Sequence, residues 1–194
     1  ARQNPDLILN IAASPFSSSK PEIREDLFKK KAAKHGIPLI SVNQVGGNTE
    51  LIFDGASVII DGKGELWKRL PFFEQTIEIC ETDDITSKPA QEINTPSKID
   101  LVHRALITGL RDYFRKTGFS RYLLGLSGGI DSAVTLAVAA EALGPENGIA
   151  LLMPSRYSSE HSVTDAKMLA ERLGVRYEII SIEKPFSAFR NAYN

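Results

Sequence analysis

The sequence predicts an α/β chain, strand-rich in its first half and alternating strand with helix in its second. Three observations carry this. Short apolar runs bounded by Gly, Pro, Asn and Asp recur through residues 7–68. From residue 99 onward, apolar runs alternate with stretches of helical period, the pattern of a parallel sheet with right-handed crossovers. Between the halves, the stretch Asp84-Ile-Thr-Ser-Lys-Pro-Ala-Gln-Glu-Ile-Asn-Thr-Pro-Ser-Lys98 has two prolines and no period. It reads as a linker at 85–98 between domains at 1–84 and 99–194.

In the first half, Leu7-Ile-Leu-Asn10 is expected to be a buried strand. Ser17-Ser-Ser-Lys-Pro-Glu22 opens a helix, with Pro21 suited to the first turn. Ile23, Leu27 and Phe28 would form its apolar stripe, Lys29, Lys30 and Lys31 its solvated face, and Gly36 its end. Pro38-Leu-Ile-Ser-Val42 is the next strand. Leu51-Ile-Phe53 and Ala56-Ser-Val-Ile-Ile60 follow as strands joined by a hairpin turn at Asp54-Gly55. Asp61-Gly-Lys-Gly64 is a second hairpin turn, leading to Glu65-Leu-Trp-Lys68. Trp67 is expected to pack, and Cys80 to be a structural residue at a strand end.

In the second half, Ser97 and Asp100 have the spacing of a variant capping box. Ile99, Val102, Leu106, Leu110 and Tyr113 or Phe114 would form the buried stripe of the helix they open, which ends at Thr117-Gly118. Strands are expected at 122–126, 148–153 and 176–180, with helices at 131–143 and 162–173 closed by Gly144 and Gly174.

The composition is that of a globular chain: 194 residues, 42% hydrophobic, 24% charged, with 23 basic against 24 acidic residues. That balance gives no basic surface for nucleic acid or an anionic membrane. Apolar runs such as Ile149-Ala-Leu-Leu-Met153 fall far short of the ~18 residues of a transmembrane helix. The first residues show no signal-peptide core, and one cysteine makes no internal disulfide. The expectation is a cytoplasmic protein with no nucleic-acid or membrane partner. The three histidines, His35, His103 and His161, have no metal-ligand spacing.

The stretch that carries chemistry is Ser127-Gly-Gly-Ile-Asp-Ser132, between a buried strand and a helix. In a parallel sheet this is the carboxyl edge, where ligands bind. Gly128 and Gly129 let backbone N–H groups approach an anion, the helix points its positive end there, and Ser127 and Ser132 add hydroxyls. Asp131 would repel a phosphate directly, so its presence implies a bridging Mg²⁺. No Gly-Lys-Ser/Thr follows, so this is not a Walker P-loop. The competing reading is an ordinary glycine turn with a helix cap.

This motif resembles the pyrophosphate-binding PP-loop of the ATP pyrophosphatases, whose shared theme is nucleophilic attack on the α-phosphate of ATP. Leu151-Leu-Met-Pro-Ser-Arg-Tyr-Ser-Ser-Glu-His-Ser-Val-Thr-Asp-Ala166 narrows the choice, because it closely resembles glutamine-dependent NAD synthetase. Asp6-Leu-Ile-Leu-Asn-Ile-Ala-Ala-Ser-Pro-Phe16, Val42-Asn-Gln-Val-Gly-Gly47 and Glu50-Leu-Ile-Phe-Asp-Gly55 are similar to the C-terminal part of the nitrilase-like glutaminase domain of that family. The implied fold is the C-terminal part of a nitrilase-like α/β sandwich followed by a parallel-sheet PP-loop (adenine nucleotide α-hydrolase-like) domain.

The resemblance implies ATP-dependent amidation of deamido-NAD through an adenylate, with ammonia from glutamine, ATP and Mg²⁺ as cofactors, and a homo-oligomer. It implies ATP contacts from Gly125, Leu126, Ser127, Gly128, Gly129, Ile130, Asp131, Ser132, Met153, Ser155 and Arg156, with Ser158 and Ser159 nearby and Asp131 on the metal. Ser14 and Lys20 would contact glutamine. The family's Glu–Lys–Cys glutaminase triad is expected to precede the segment at 6–16, and Cys80 is not its nucleophile, although Ile79-Cys-Glu81 has a similar local sequence. The alternatives are another PP-loop amidotransferase, or a catalytically incomplete ATP-binding piece.

Overall fold

A computed structural model describes residues 5–90 and 94–193. The chain divides into two compact units, 1–112 and 113–194. Of the expected linker, residues 91–93 lie outside the described residues.

The first unit holds a four-stranded sheet in the order β1-β2-β5-β6, from β1 (Ile8–Ala12), β2 (Leu39–Asn43), β5 (Val58–Ile60) and β6 (Leu66–Arg69). β1 and β2 are parallel, and the other pairings are antiparallel. β5 is buried at every residue because both its faces are covered. Val58 and Ile60 pack with Leu39 and Leu66 under Phe28 and Ala32 of α1 (Lys20–His35). Ile59 packs with Trp67 and with Ile85 of α2 (Thr82–Ser87). A separate hairpin pairs β3 (Val45–Asn48) with β4 (Leu51–Asp54).

Several expectations are corrected here. β1 is an edge strand, and Leu9 and Ile11 are exposed rather than buried. The buried stripe of α1 is Phe28 and Ala32, while Ile23 and Leu27 face solvent. The small Ala32 allows close approach to the sheet, so size decides the face where hydropathy alone misassigns it. Asp54-Gly55 does not join a hairpin: β4 pairs with β3, whose Val-Gly-Gly-Asn sequence hides a strand, and β5 pairs with β2 and β6. The residues expected to begin the linker lie in α2, anchored by Ile85, which is only 2% exposed. Cys80 packs beside that same cluster but lies in irregular chain rather than at a strand end.

The Asp61–Gly64 turn forms as expected. Asp61 Oδ1 accepts from the N–H groups of Lys63 and Glu65, and Gly64 donates to the Asp61 carbonyl. The capping box also forms: Ser97 Oγ donates to Asp100 Oδ2 (2.6 Å) and accepts from the Asp100 N–H (3.2 Å). These bonds, the Ser97 hydroxyl first, hold the Asp100 carboxyl below its ordinary range. The helix they open, α3 (Lys98–Thr117), buries Leu101, Ala105 and Ile107, while Ile99 and Leu106 are exposed. Its buried face is thus rotated about one residue from the expected stripe.

In the second unit, β7 (Tyr122–Gly125), β8 (Gly148–Leu152) and β9 (Arg176–Ile179) form a parallel sheet in that order. Leu136 and Ala140 of α4 (Ile130–Leu143) and Ala166 and Ala170 of α5 (Glu160–Leu173) pack on Leu126, Ala150, Leu152 and Val175. Alanines at the contacts let the helices sit close to the sheet. A final helix, α6 (Glu183–Tyr193), was not expected from the sequence. Its signal is Pro185 in the first turn, followed by Phe186 and Phe189 at helical spacing.

Candidate nucleotide site

The site forms where β7 hands over to α4. Leu126 continues the ladder by one bond, its N–H donating to the Leu151 carbonyl at 2.8 Å. Its side chain, expected among the ligand contacts, is in the core and 3% exposed. At Gly128 the chain turns into the left-handed region, with φ +80°. A Cβ there would stand 2.2 Å from the Ser162 carbonyl oxygen in the first turn of α5. Only glycine brings the loop this close to that helix.

Two hydroxyls hold the loop shape. Ser132 Oγ accepts from the Ser127 N–H (3.2 Å), lies 3.1 Å from Ser127 Oγ, and donates to the Gly129 carbonyl (2.9 Å). The Gly129 N–H turns back to Ser127 Oγ at 3.3 Å. These serines, expected as direct phosphate donors, therefore bond to the loop itself. The amides of Gly128, Ile130, Asp131 and Ser132 have no acceptor among the described residues. Ile130, Asp131 and Ser132 supply orphan donors of the first turn of a fourteen-residue helix, and Gly128 precedes its cap. Asp131 is exposed on the first turn, and its carboxylate has no partner among the described residues. Among those residues no cluster of three or more His, Cys, Asp or Glu is poised for a metal.

Beside the loop lies a cleft of about 510 Å³ at the carboxyl ends of β7 and β8. Gly125, Leu126, Ser127 and Met153 line it, as do Ser158 and Ser159. Met153 is 46% exposed, and its methyl lies 3.2 Å from where a Cβ on Gly125 would sit. Ser159 caps α5, accepting from the Ser162 N–H at 3.1 Å, so a second helix N-terminus faces the same cleft. Leu152, Pro154, Tyr157, Ser162, Val163 and Ile182 complete the lining and were missed from the sequence. Only the Ser159–Ser162 capping spacing signalled any of them.

Of the other expected ATP contacts, Gly128, Gly129, Ile130, Asp131, Ser132, Ser155 and Arg156 are not in the cleft lining. Ser155 shapes a turn, its N–H donating to Ser158 Oγ (3.1 Å) and its carbonyl accepting from the Ser158 N–H (3.0 Å). Arg156 is taken up by α6. Its Nε donates to Glu183 Oε1 (2.6 Å), its backbone N–H to Glu183 Oε2 (3.0 Å) and its Nη2 to Ser187 Oγ (3.2 Å), and its guanidinium lies over the Phe186 ring. The hydrogen bonds from Arg156 hold the Glu183 carboxyl below its ordinary range, and Glu183 in turn raises Arg156.

In the first unit, Ser14 follows β1. Its N–H donates to Asn43 Oδ1 (2.8 Å) and its carbonyl accepts from Asn43 Nδ2 (3.3 Å). Lys20 is the first residue of α1, its N–H donating to the Ser17 carbonyl.

Residues 102–194 match the NAD synthase family. The chain is 43% identical over 183 residues to the glutamine-dependent NAD(+) synthetase of Synechocystis sp., a match covering 93% of this chain. The chain is a relative of the glutamine-dependent NAD synthetases. The Rhodobacter capsulatus synthetase is 40% identical over 92% of the chain. The solved glutamine-dependent NAD+ synthetase of Acinetobacter baumannii, in complex with ADP, superposes with a TM-score of 0.92 over 98% of the chain at 35% identity. The chain spans about a third of these synthetases: 33% of each of the two curated relatives and 37% of the solved chain. The fold class expected from the sequence, a nitrilase-like α/β part followed by a parallel-sheet PP-loop domain, stands.

Proposed function

We propose that residues 125–132 and the adjoining cleft hold ATP for the ATP-dependent amidation of deamido-NAD to NAD, with ammonia drawn from glutamine. The observation that carries this is the set of four unpaired amides at the start of α4, beside a cleft of about 510 Å³. That volume lies within the ~300–1,000 Å³ usual for small-molecule sites. The Acinetobacter relative was solved with ADP, which supports an adenine nucleotide as the occupant.

In this reading the nicotinic-acid carboxylate of deamido-NAD attacks the α-phosphorus. The bond to the β-phosphate oxygen breaks, giving an adenylate and pyrophosphate. Ammonia then attacks the activated carbonyl carbon, AMP leaves, and an amide remains, with a proton released to solvent. The chain's part is electrostatic: the amides of Gly128, Ile130, Asp131 and Ser132 and the helix end oppose negative charge growing on the departing pyrophosphate. Ser127 and Ser132 hold the loop in shape through bonds within it. Met153, half-exposed over Gly125, offers an apolar surface to the adenine.

Asp131 fits a magnesium ion that reaches the site with the nucleotide. Mg²⁺ is commonly held by one or two carboxylates plus substrate phosphates, and Asp131 is one exposed carboxylate in the first turn of α4, beside the open amides. The ion would supply charge neutralisation on the phosphate oxygens. Ser14 and Lys20 would contact glutamine, and the family resemblance adds a cytoplasmic homo-oligomer.

Pyrophosphate release in the protein made from its complete reading frame tests the reading. With ATP, Mg²⁺ and deamido-NAD, Asp131→Ala should lower release by about 100-fold or more, the cost of losing one transition-state stabiliser. Release kept near the unmutated rate would overturn the assignment.

A further inference from the structure

Asp54 is completely buried and ion-paired to Arg24, yet nothing in the ATP chemistry uses it. Its two oxygens meet a two-pronged guanidinium: Arg24 Nη1 donates to Oδ1 (3.1 Å) and Nη2 to Oδ2 (2.8 Å). Oδ1 also accepts from Asn43 Nδ2 at 2.9 Å. Asn43 in turn grips Ser14 by both backbone groups. One chain of bonds therefore runs from α1, through the end of β4 and the end of β2, to the segment after β1.

A carboxylate only accepts hydrogen bonds, so Asp54 selects the orientation of the Asn43 amide. Nδ2 must face Asp54, which leaves Oδ1 to receive the Ser14 N–H. Ser14 is thereby held through its main chain, and its hydroxyl has no partner among the described residues. At the other end, Arg24 fixes α1 one turn beyond Lys20, on the same helix face. The Lys20 ammonium has no ion-pair partner among the described residues. The two side chains left available, a hydroxyl and a cation, suit an amino acid that carries a carboxylate and a side-chain amide.

We infer that Asn43, Asp54 and Arg24 are positioning residues for the glutamine site, setting the Ser14 backbone and the first turn of α1 in one frame. This rests on the glutamine reading of Ser14 and Lys20 given above. None of the three need touch glutamine; they act through the residues that do.

The test compares two nitrogen sources in the protein made from its complete reading frame. NAD formation is measured against glutamine and, separately, against ammonium, for the unmutated protein and for Asn43→Ala. The expected result is a glutamine KM raised about tenfold or more, in line with the cost of a misplaced contact, with ammonium-supported kcat within about twofold. If Asn43→Ala is not recovered folded, Arg24→Lys keeps a cation opposite Asp54 but loses the fork, and should give the same split at smaller amplitude. A folded variant with unchanged glutamine KM, or with both activities falling in parallel, overturns the positioning role. An unmutated protein that uses ammonium but not glutamine overturns the glutamine reading itself, and this inference with it.

Discussion

Gly128 and Gly129 are neighbours in the loop but not equivalent. Gly128 has φ +80° and no room for a Cβ against Ser162, whereas Gly129 has φ −85° and its nearest obstacle is Ser127 Oγ at 3.4 Å. Gly128→Ala should cost about 1–3 kcal/mol for the strained backbone alone and weaken ATP binding with it. Gly129→Ala, a cap position where glycine is only moderately preferred, should cost at most about 1 kcal/mol. Urea unfolding and ATP calorimetry on both variants check the contrast. Glu25 makes a prediction in pH. Burial would raise its carboxyl, but hydrogen bonds and charge from Arg69 and Lys29 prevail, and the net shift is downward. Its stabilisation is therefore complete above the ordinary value of 4.5 and is lost as pH falls through the lowered folded value. Glu25→Gln should flatten the acid limb of stability below that pH and leave the neutral region less affected by pH; an unchanged acid limb would contradict the pairing. At this scale the loop was legible, because glycines, hydroxyls and the helix start are local. That Arg156 turns to Glu183 and Ser187 depends on partners 27 and 31 residues away that no local rule reveals.

Among elements, α4 links the core to the site. Its Leu136 is fully buried among Leu126, Leu152 and the alanines of α5, and its N-terminus carries the open amides. Leu136→Ala should cost about 2–5 kcal/mol, read from urea unfolding, because the surrounding helices close only partly over the cavity. A loss under about 1 kcal/mol would mean that α4 is not packed as described. Strands were readable from their apolar runs, and the Ser97–Asp100 cap from spacing alone. Helix faces were read less well: α1 and α3 both turn an alanine inward, and hydropathy favours the neighbouring isoleucines and leucines that face solvent. β3 was hidden by its two glycines, and α2 by a short sequence whose one anchor is Ile85.

Across the whole chain, two units share α3, of which residues 98–112 belong to the first and 113–117 to the second. The alternation of strand and helix announced the parallel sheet of the second unit, and with it a carboxyl edge of the kind that binds ligands in such sheets. The mixed sheet of the first unit was less legible, since pairing between distant strands is not written in either strand alone. The most direct measurement follows backbone amide resonances of the ¹⁵N-labelled 194-residue chain during titration with ATP and Mg²⁺. The largest shifts should fall on Gly128, Ile130, Asp131 and Ser132, with smaller ones at Met153 and Ser159. Saturating nucleotide that leaves those four amides unmoved, or moves a different surface instead, would contradict a polyphosphate docked at the start of α4.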